Sequence, residues 1–112
     1  MPKNVTQLDT VLRALADPTR RAVIERLHRG PAAMTELSLP FRMALPSFAQ
    51  HLEVLKRSGL VSSRKRGRVR TFQLAPRPLQ AVESWLATQR AQWERRLDQL
   101  DTYLAELKEQ TR

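Results

Sequence analysis

The chain has 112 residues, a length that fits one folded domain. It contains no cysteine, which excludes disulfides, thiolate metal sites and cysteine nucleophiles. Its formal net charge is +9. The N-terminal residues lack the charged start and apolar stretch of a secretory signal, and no apolar run approaches the roughly 20 residues of a membrane helix. We therefore expect a soluble, cytoplasmic protein with no membrane association.

The positive charge is concentrated in one segment. Residues 54–77 hold eight basic side chains and no acidic one, whereas residues 1–53 carry a net charge of +2 and residues 78–112 a net charge of −1. A block without counter-charge lowers stability through self-repulsion unless an anionic partner offsets it. The candidate partners are nucleic acid, an anionic membrane surface and an acidic protein.

The chain begins with two predicted helices. Apolar residues at helical spacing predict a first helix over residues 5–16. The dipeptide Asp17-Pro18 interrupts it, because the residue before a proline disfavours helical backbone. Asp17 is then placed to cap a second helix, which has Pro18 in its first turn and stops at Gly30.

Two further helices follow, separated by a turn. A short third helix is expected over residues 34–39, and Pro40 ends it. Pro46 marks the start of a fourth helix that runs to about Ser58. Gly59 supplies its C-terminal cap, because glycine accepts the left-handed backbone that commonly ends a helix.

The remainder of the chain predicts a hairpin and one long helix. Two short strands around Gly67 are expected over residues 60–74. Residues 75–78 contain two prolines and break the chain. A helix over about residues 79–108 follows. This order predicts a mainly α fold with a small β-hairpin, a winged helix-turn-helix in which the basic hairpin is the wing. We interpret residues 1–112 as a single winged-helix DNA-binding domain with a C-terminal dimerisation helix.

The fourth helix has an apolar and a polar face when its residues are placed at about 100° intervals. Ser47 and Gln50 lie on the polar face near the N-terminal end, where a recognition helix reaches base edges. Gln50 can make two hydrogen bonds to adenine, worth about 1–3 kcal/mol of discrimination. The apolar face, expected to pack on the second and third helices, consists of Leu45, Phe48, Leu52 and Leu55.

The hairpin strengthens the interpretation as a double-stranded DNA-binding protein, because it carries five cations in seven residues. Each neutralised phosphate releases counterions, so we expect strongly salt-dependent binding. His51, on the flank of the fourth helix, has two interpretations: a phosphate contact or a hydrogen bond within the motif. The predicted DNA-binding residues are Ala44, Pro46, Ser47, Gln50, His51, Lys56, Arg57, Arg64, Lys65, Arg66, Arg68 and Arg70.

The last helix carries an apolar stripe that is too long for a small four-helix core to cover. Pairing with a second copy, together with the first helix, would bury it, although we expect the end at Leu79 to fold back on its own core. Two copies would present their recognition helices to half-sites about one helical turn apart on a palindrome. The predicted dimer interface consists of Leu8, Val11, Leu12, Leu86, Trp93, Leu97, Leu100 and Leu104.

Over about residues 8–108 the sequence resembles the arsenic-repressor (ArsR/SmtB) family of winged-helix transcriptional regulators. The resemblance is carried by ALADPTRR at residues 14–21, LPSFAQHLEVL at 45–55 and SGLV at 58–61, and by GR and FQL in the wing. It implies a homodimer, joined by its first and last helices, that binds palindromic promoter operators. It implies repression in most members and activation in some.

The chain departs from many of these relatives at two positions and in its sensing residues. Ala44 and Ala49 replace serines, which removes a helix cap and a DNA-facing hydroxyl. Metal-sensing relatives place a cysteine pair in the third helix, where this chain reads ELSLP. Others place histidine and carboxylates on the last helix, which here has no histidine. Soft metals are therefore disfavoured, and the chain resembles the cysteine-free branch, whose third helix also ends in Pro-Phe.

We predict no cofactor and no metal, and the sequence leaves the effector open. The last helix carries Glu94, Asp98 and Asp101 at helical spacing, which we interpret as a solvated face. The alternative is a nickel- or zinc-responsive regulator or activator of the same family that uses nitrogen and oxygen ligands.

Three rival classes explain less of the sequence. A non-specific nucleic-acid-binding accessory protein would use the basic hairpin, but RNA binding usually needs exposed aromatic residues, and Phe72 is expected to pack inward. A protein that acts only by pairing its long helix leaves the basic segment unexplained. An enzyme is disfavoured, because the two histidines are scattered and no phosphate-binding loop is present.

Overall fold

The computed structural model describes residues 3–111, with side chains from Gln7 onward, so the side chain of Val5 lies outside the described part. The structure confirms the mainly helical fold class with a small antiparallel sheet. The elements in chain order are α1 (Lys3–Leu15), α2 (Pro18–Leu27), β1 (Ala32–Ala33), α3 (Met34–Ser38), α4 (Leu45–Arg57), β2 (Val61–Arg66), β3 (Val69–Leu74) and α5 (Leu79–Gln110).

The helix boundaries follow the predicted start and stop signals. Asp17 caps α2, since its Oδ2 accepts a hydrogen bond from the backbone N–H of Arg20 at 3.1 Å. Ala44 precedes α4 and offers no side-chain cap, as its methyl group implies. Gly59 follows α4 with a φ of +82°, the left-handed conformation that ends many helices.

The sheet has one strand more than the predicted hairpin. Its order is β1-β3-β2, and both pairings are antiparallel. Ala32 of β1 pairs with Phe72 of β3, which anchors the base of the wing to the segment between α2 and α3. The wing turns at Gly67, where a φ of +60° favours glycine.

The core of the winged helix lies between the helices and one face of this sheet. The burial of Phe48, Leu52 and Leu55 confirms the predicted inner face of α4. The prediction for Leu45 is wrong, because its side chain is 50% exposed. Leu45 begins the helix and lies roughly 50° around its axis from the centre of the buried face. Largest among the fully buried side chains are Phe48, Leu37, Leu52, Leu55, Leu60, Val11 and Val23.

The chain forms two compact units, the first ending at Val82 and the second beginning at Glu83. Leu79 and Val82, in the first turn of α5, pack against the core of the first unit, as expected for that end of the helix. The second unit is the remainder of α5. No helix in the described part of the chain combines the length and the apolar character needed to cross a membrane.

Candidate nucleic-acid interface

The solvent-facing side of α4 carries the residues predicted to read DNA. Because Phe48, Leu52 and Leu55 anchor one side of the helix in the core, Ser47 and Gln50 project from the helix into solvent. Neither side chain hydrogen-bonds to another described residue, so both retain their full capacity for a ligand. Ala44 and Pro46, at the N-terminal end of the helix, are exposed as well.

The C-terminal half of α4 carries a feature that the sequence analysis missed. Nε of Arg57 lies 3.4 Å from Oε1 of Glu53, and both side chains are more than half exposed. Such an exposed pair contributes little stability, so Arg57 can exchange the carboxylate for a phosphate at small cost. The i,i+4 spacing of the two residues predicts this contact. Lys56 is exposed beside it.

The side chain of His51 contacts two other side chains of the protein. NH1 of Arg20 lies 3.1 Å from Nδ1 of His51, and Oδ2 of Asp17 lies 3.8 Å from the same nitrogen. Of the two interpretations of His51, the hydrogen bond within the motif is therefore the one observed. The second ring nitrogen, Nε2, makes no hydrogen bond to a described residue.

The contacts of Asp17 with Arg20 and His51 shift the pKa of its carboxyl group. Burial raises the pKa of its carboxyl group, but the hydrogen bond from the backbone N–H of Arg20 and the interactions with the neighbouring His51 and Arg20 side chains have the larger combined effect. The pKa of Asp17 therefore lies below its ordinary value of 3.8, and the carboxylate is ionised at neutral pH.

The wing presents cations on both faces of its two long strands. Arg64 and Arg66 lie on one face, because alternate residues of a strand share a face. Lys65 and Arg70 oppose each other across β2 and β3 on the other face, which carries the buried Phe72 nearer the helices. The inward packing of Phe72 agrees with the sequence-based expectation.

All five wing cations are exposed, and Arg68 sits at the turn next to Gly67. None of the five forms an ion pair with a carboxylate in the described part of the chain. Arg70 donates a hydrogen bond from NH1 to Oγ of Ser63 at 3.1 Å, a contact that leaves its charge uncompensated. Among the residues that the structure describes, the wing is thus a strongly positive projection whose cations have no carboxylate partner.

One face of the wing also forms an open depression of about 520 Å³. It combines two guanidinium groups with hydroxyl and amide groups, a chemistry that matches phosphate oxygens. Its lining consists of Pro31, Ser62, Ser63, Arg64, Arg66, Thr71 and Gln73.

The predicted dimer residues divide into exposed and buried ones. Trp93 is 66% exposed and Leu12 is 40% exposed, so both have apolar surface available to a second copy. Leu8 is half-buried. Val11 is fully buried in the core of its own protomer and has no surface for a partner; its assignment to the interface is wrong. The exposed apolar residues of α5 include Leu86, Trp93, Leu97, Leu100, Leu104 and Leu107.

The described residues of the single chain contain no group of three histidine, aspartate or glutamate side chains arranged to hold a metal ion. Glu94, Asp98 and Asp101 are all exposed on α5.

Fold and surface together define a winged helix-turn-helix DNA-binding protein. A family model described as a helix-turn-helix domain matches residues 15–64. HTH-type transcriptional regulator Rv2034 of Mycobacterium tuberculosis is 45% identical over 76 residues, which span 68% of this chain and 71% of that protein. Transcriptional repressor SdpR of Bacillus subtilis is 28% identical over 79 residues, spanning 70% of this chain and 88% of that protein.

Comparison with a solved structure shows that the similarity includes the three-dimensional fold. The crystal structure of the ArsR family transcriptional regulator RHA00566 superposes with a TM-score of 0.80 at 52% identity, and the match covers 84% of this chain and 97% of that one. The chain belongs to the ArsR family of winged helix-turn-helix transcriptional regulators.

Proposed function

We propose that this protein is a transcriptional repressor that binds a palindromic promoter operator as a homodimer. The observation that carries the proposal is one compact unit containing both an exposed polar tip on α4 and a wing with five uncompensated cations. The tip supplies sequence discrimination, and the wing supplies electrostatic affinity. The similarity to a relative named as a repressor supports the direction of regulation.

In the proposed complex, the N-terminal end of α4 enters the major groove. Gln50 makes a bidentate contact to adenine, and Ser47 hydrogen-bonds to a base edge or a phosphate. Ala44 and Pro46 allow close approach to the groove floor. Lys56 and Arg57 contact phosphates further along the helix. His51 has only Nε2 available for DNA, since Nδ1 is occupied by Arg20.

The wing tracks the DNA backbone beside the recognition helix. Its cations lie on both faces, so Arg64 and Arg66 on one face and Lys65 and Arg70 on the other contact different phosphates. Arg68, at the turn, is placed to enter a narrow minor groove, where the negative potential is enhanced.

Dimerisation supplies the second recognition helix. The exposed apolar residues of α5 and Leu12 of α1 pair with their counterparts in the second copy, which removes a long apolar surface from water. The residues 1–112 thus act as one winged-helix domain with a dimerisation helix. We propose that the protein acts in the cytoplasm and through binding alone, without catalysis.

Selection of bound fragments from genomic DNA tests the proposal. We expect enrichment of an inverted repeat with half-site centres about 10 base pairs apart, or a multiple of that spacing. Enrichment of no motif, or of a single unrepeated half-site, would contradict it. A parallel selection with nickel or zinc tests the metal-responsive alternative, which predicts a different yield of the same motif.

A further inference from the structure

One side chain joins three segments of the winged helix. Arg20, in the first turn of α2, donates from Nε to the carbonyl oxygen of Ala14 at 2.7 Å and from NH2 to that of Arg13 at 3.0 Å. Its remaining terminal nitrogen, NH1, donates to Nδ1 of His51 on α4 at 3.1 Å. A single guanidinium group therefore links the end of α1 to the recognition helix.

The hydrogen bonds from Arg20 to α1 go to carbonyl groups in the last turn of the helix, which have no partner within the helix. The last four carbonyl groups of a helix lack partners within it, and a cation near them is favoured by the helix dipole. Arg21 provides a similar cap, because its NH1 donates to the carbonyl oxygen of Leu15 at 2.8 Å. Arg20 differs from Arg21 in the additional bond to α4.

The bond between Arg20 and His51 has a defined direction. A guanidinium group only donates hydrogen bonds, so Nδ1 of His51 must accept. His51 is the neighbour of Gln50 in sequence and lies about 100° from it around α4. The core packing of Phe48, Leu52 and Leu55 sets the rotation of α4. The bond from Arg20 adds a polar restraint on the His51 flank, and thus on the direction in which the neighbouring Gln50 points.

We propose that Arg20 is a positioning residue for sequence recognition: it holds α4 at a set orientation relative to α1. The inference rests on the proposed function, in which Gln50 reads a base and α1 contributes to the dimer. Because α1 lies at the dimer interface in that proposal, Arg20 also sets the recognition helices of the two copies relative to each other. The planar fork of arginine is required, since a lysine offers one ammonium group and cannot span both α1 and α4.

The first test compares Arg20→Lys with Arg21→Lys. Both variants keep the net charge and both remove a guanidinium cap from α1, but only Arg20→Lys removes the link to α4. The probes are a duplex selected from a random library by the wild-type protein and a shuffled duplex of equal composition. We expect Arg20→Lys to lose about tenfold in affinity for the selected duplex and Arg21→Lys less than about twofold. Affinity for the shuffled duplex and the salt slope should stay unchanged in both variants.

The second test separates positioning by His51 from direct contact with DNA. In His51→Asn the amide oxygen takes the place of Nδ1 and can accept from Arg20. In His51→Gln the amide group reaches the place of Nε2 instead. Positioning through Arg20 predicts near wild-type affinity for the selected duplex in His51→Asn and a loss in His51→Gln. A direct phosphate contact through Nε2 predicts the reverse order.

The outcomes distinguish this inference from the proposed function. If the wild-type protein does not prefer the selected duplex over the shuffled one, the proposed function fails. If it does, but Arg20→Lys and Arg21→Lys lose equally, Arg20 only caps α1 and the inference is overturned. Thermal unfolding of each variant shows whether a loss of affinity reflects a loss of folded protein. An affinity loss for both duplexes in proportion to the unfolded fraction would also contradict the inference.

Discussion

The carboxylate of Asp17 accepts a hydrogen bond from the backbone N–H of Arg20 at 3.1 Å. This contact caps α2 at its first turn, and the same carboxylate lies 3.8 Å from Nδ1 of His51 on α4. The junction between α1 and α2 thus meets the recognition helix at one small polar cluster. Asp17, which starts α2, therefore also lies against the helix that we propose to read DNA.

Replacing Asp17 by alanine should destabilise the protein by about 1 kcal/mol at neutral pH, because the helix cap is lost. The pKa of Asp17 is lowered in the folded state, so its ionised form stabilises the fold above pH 3.8. That stabilisation is lost as the pH falls from 3.8 through the lower folded-state value. Urea unfolding should therefore show that Asp17→Ala has a lower free energy of unfolding than the wild type at neutral pH, and that this difference becomes smaller in acid.

Asp17→Asn is the matched control for this experiment, since asparagine caps helices comparably but does not titrate. It should retain most of the stability at neutral pH and show less dependence on acid than the wild type. Equal stability of Asp17→Ala and wild type at neutral pH would show that the cap contributes nothing. If the difference in the free energy of unfolding between wild type and Asp17→Ala stayed constant down to strong acid, this would contradict the lowered pKa.

Removing Arg66 and Arg68 together should weaken binding to every duplex. Each phosphate contact contributes about 0.9 to the slope of log K against log salt concentration, so the double alanine variant should flatten that slope by about 2. Fluorescence anisotropy at several salt concentrations measures it. Arg95→Ala/Arg96→Ala removes the same charge from exposed positions on α5 and should leave the slope nearly unchanged. If the wild type and the double alanine variant had the same slope, this would show that the wing does not contact DNA phosphates.

Introducing a charge at Trp93 should break the dimer. Trp93 is 66% exposed in the single chain and lies in the apolar stripe of α5, so a glutamate there would be buried without a partner on association. Sedimentation equilibrium should show a monomer for Trp93→Glu. Gln99→Glu adds the same charge roughly 120° around the helix and should remain dimeric. A dimeric Trp93→Glu would refute the assignment of this stripe to the interface.

The sequence predicted the elements of this fold well because their signals are local. Asp17 and Pro18 mark the start of α2, Gly59 follows α4, and Gly67 turns the wing, each through its own backbone preference. Strand β1 escaped prediction because its two alanines are too few to show an alternating pattern.

The tertiary details depended on geometry that sequence spacing does not contain. Val11 belongs to an amphipathic helix, and the pattern alone did not separate the side facing its own core from the side available to a partner. The contact between Arg20 and His51 joins residues 31 positions apart, and no local pattern indicates it. The exposed tip of α4 was predictable, since the buried face of the helix determines the opposite one.

The central claim, that α4 reads base sequence through Gln50, is tested most directly by Gln50→Ala. Its affinity should be measured for a duplex selected by the wild-type protein and for a shuffled duplex, with Gln99→Ala as the control. We predict a loss of about tenfold or more on the selected duplex and almost none on the shuffled one. Equal losses on the two duplexes, or no loss on either, would contradict base reading by this residue.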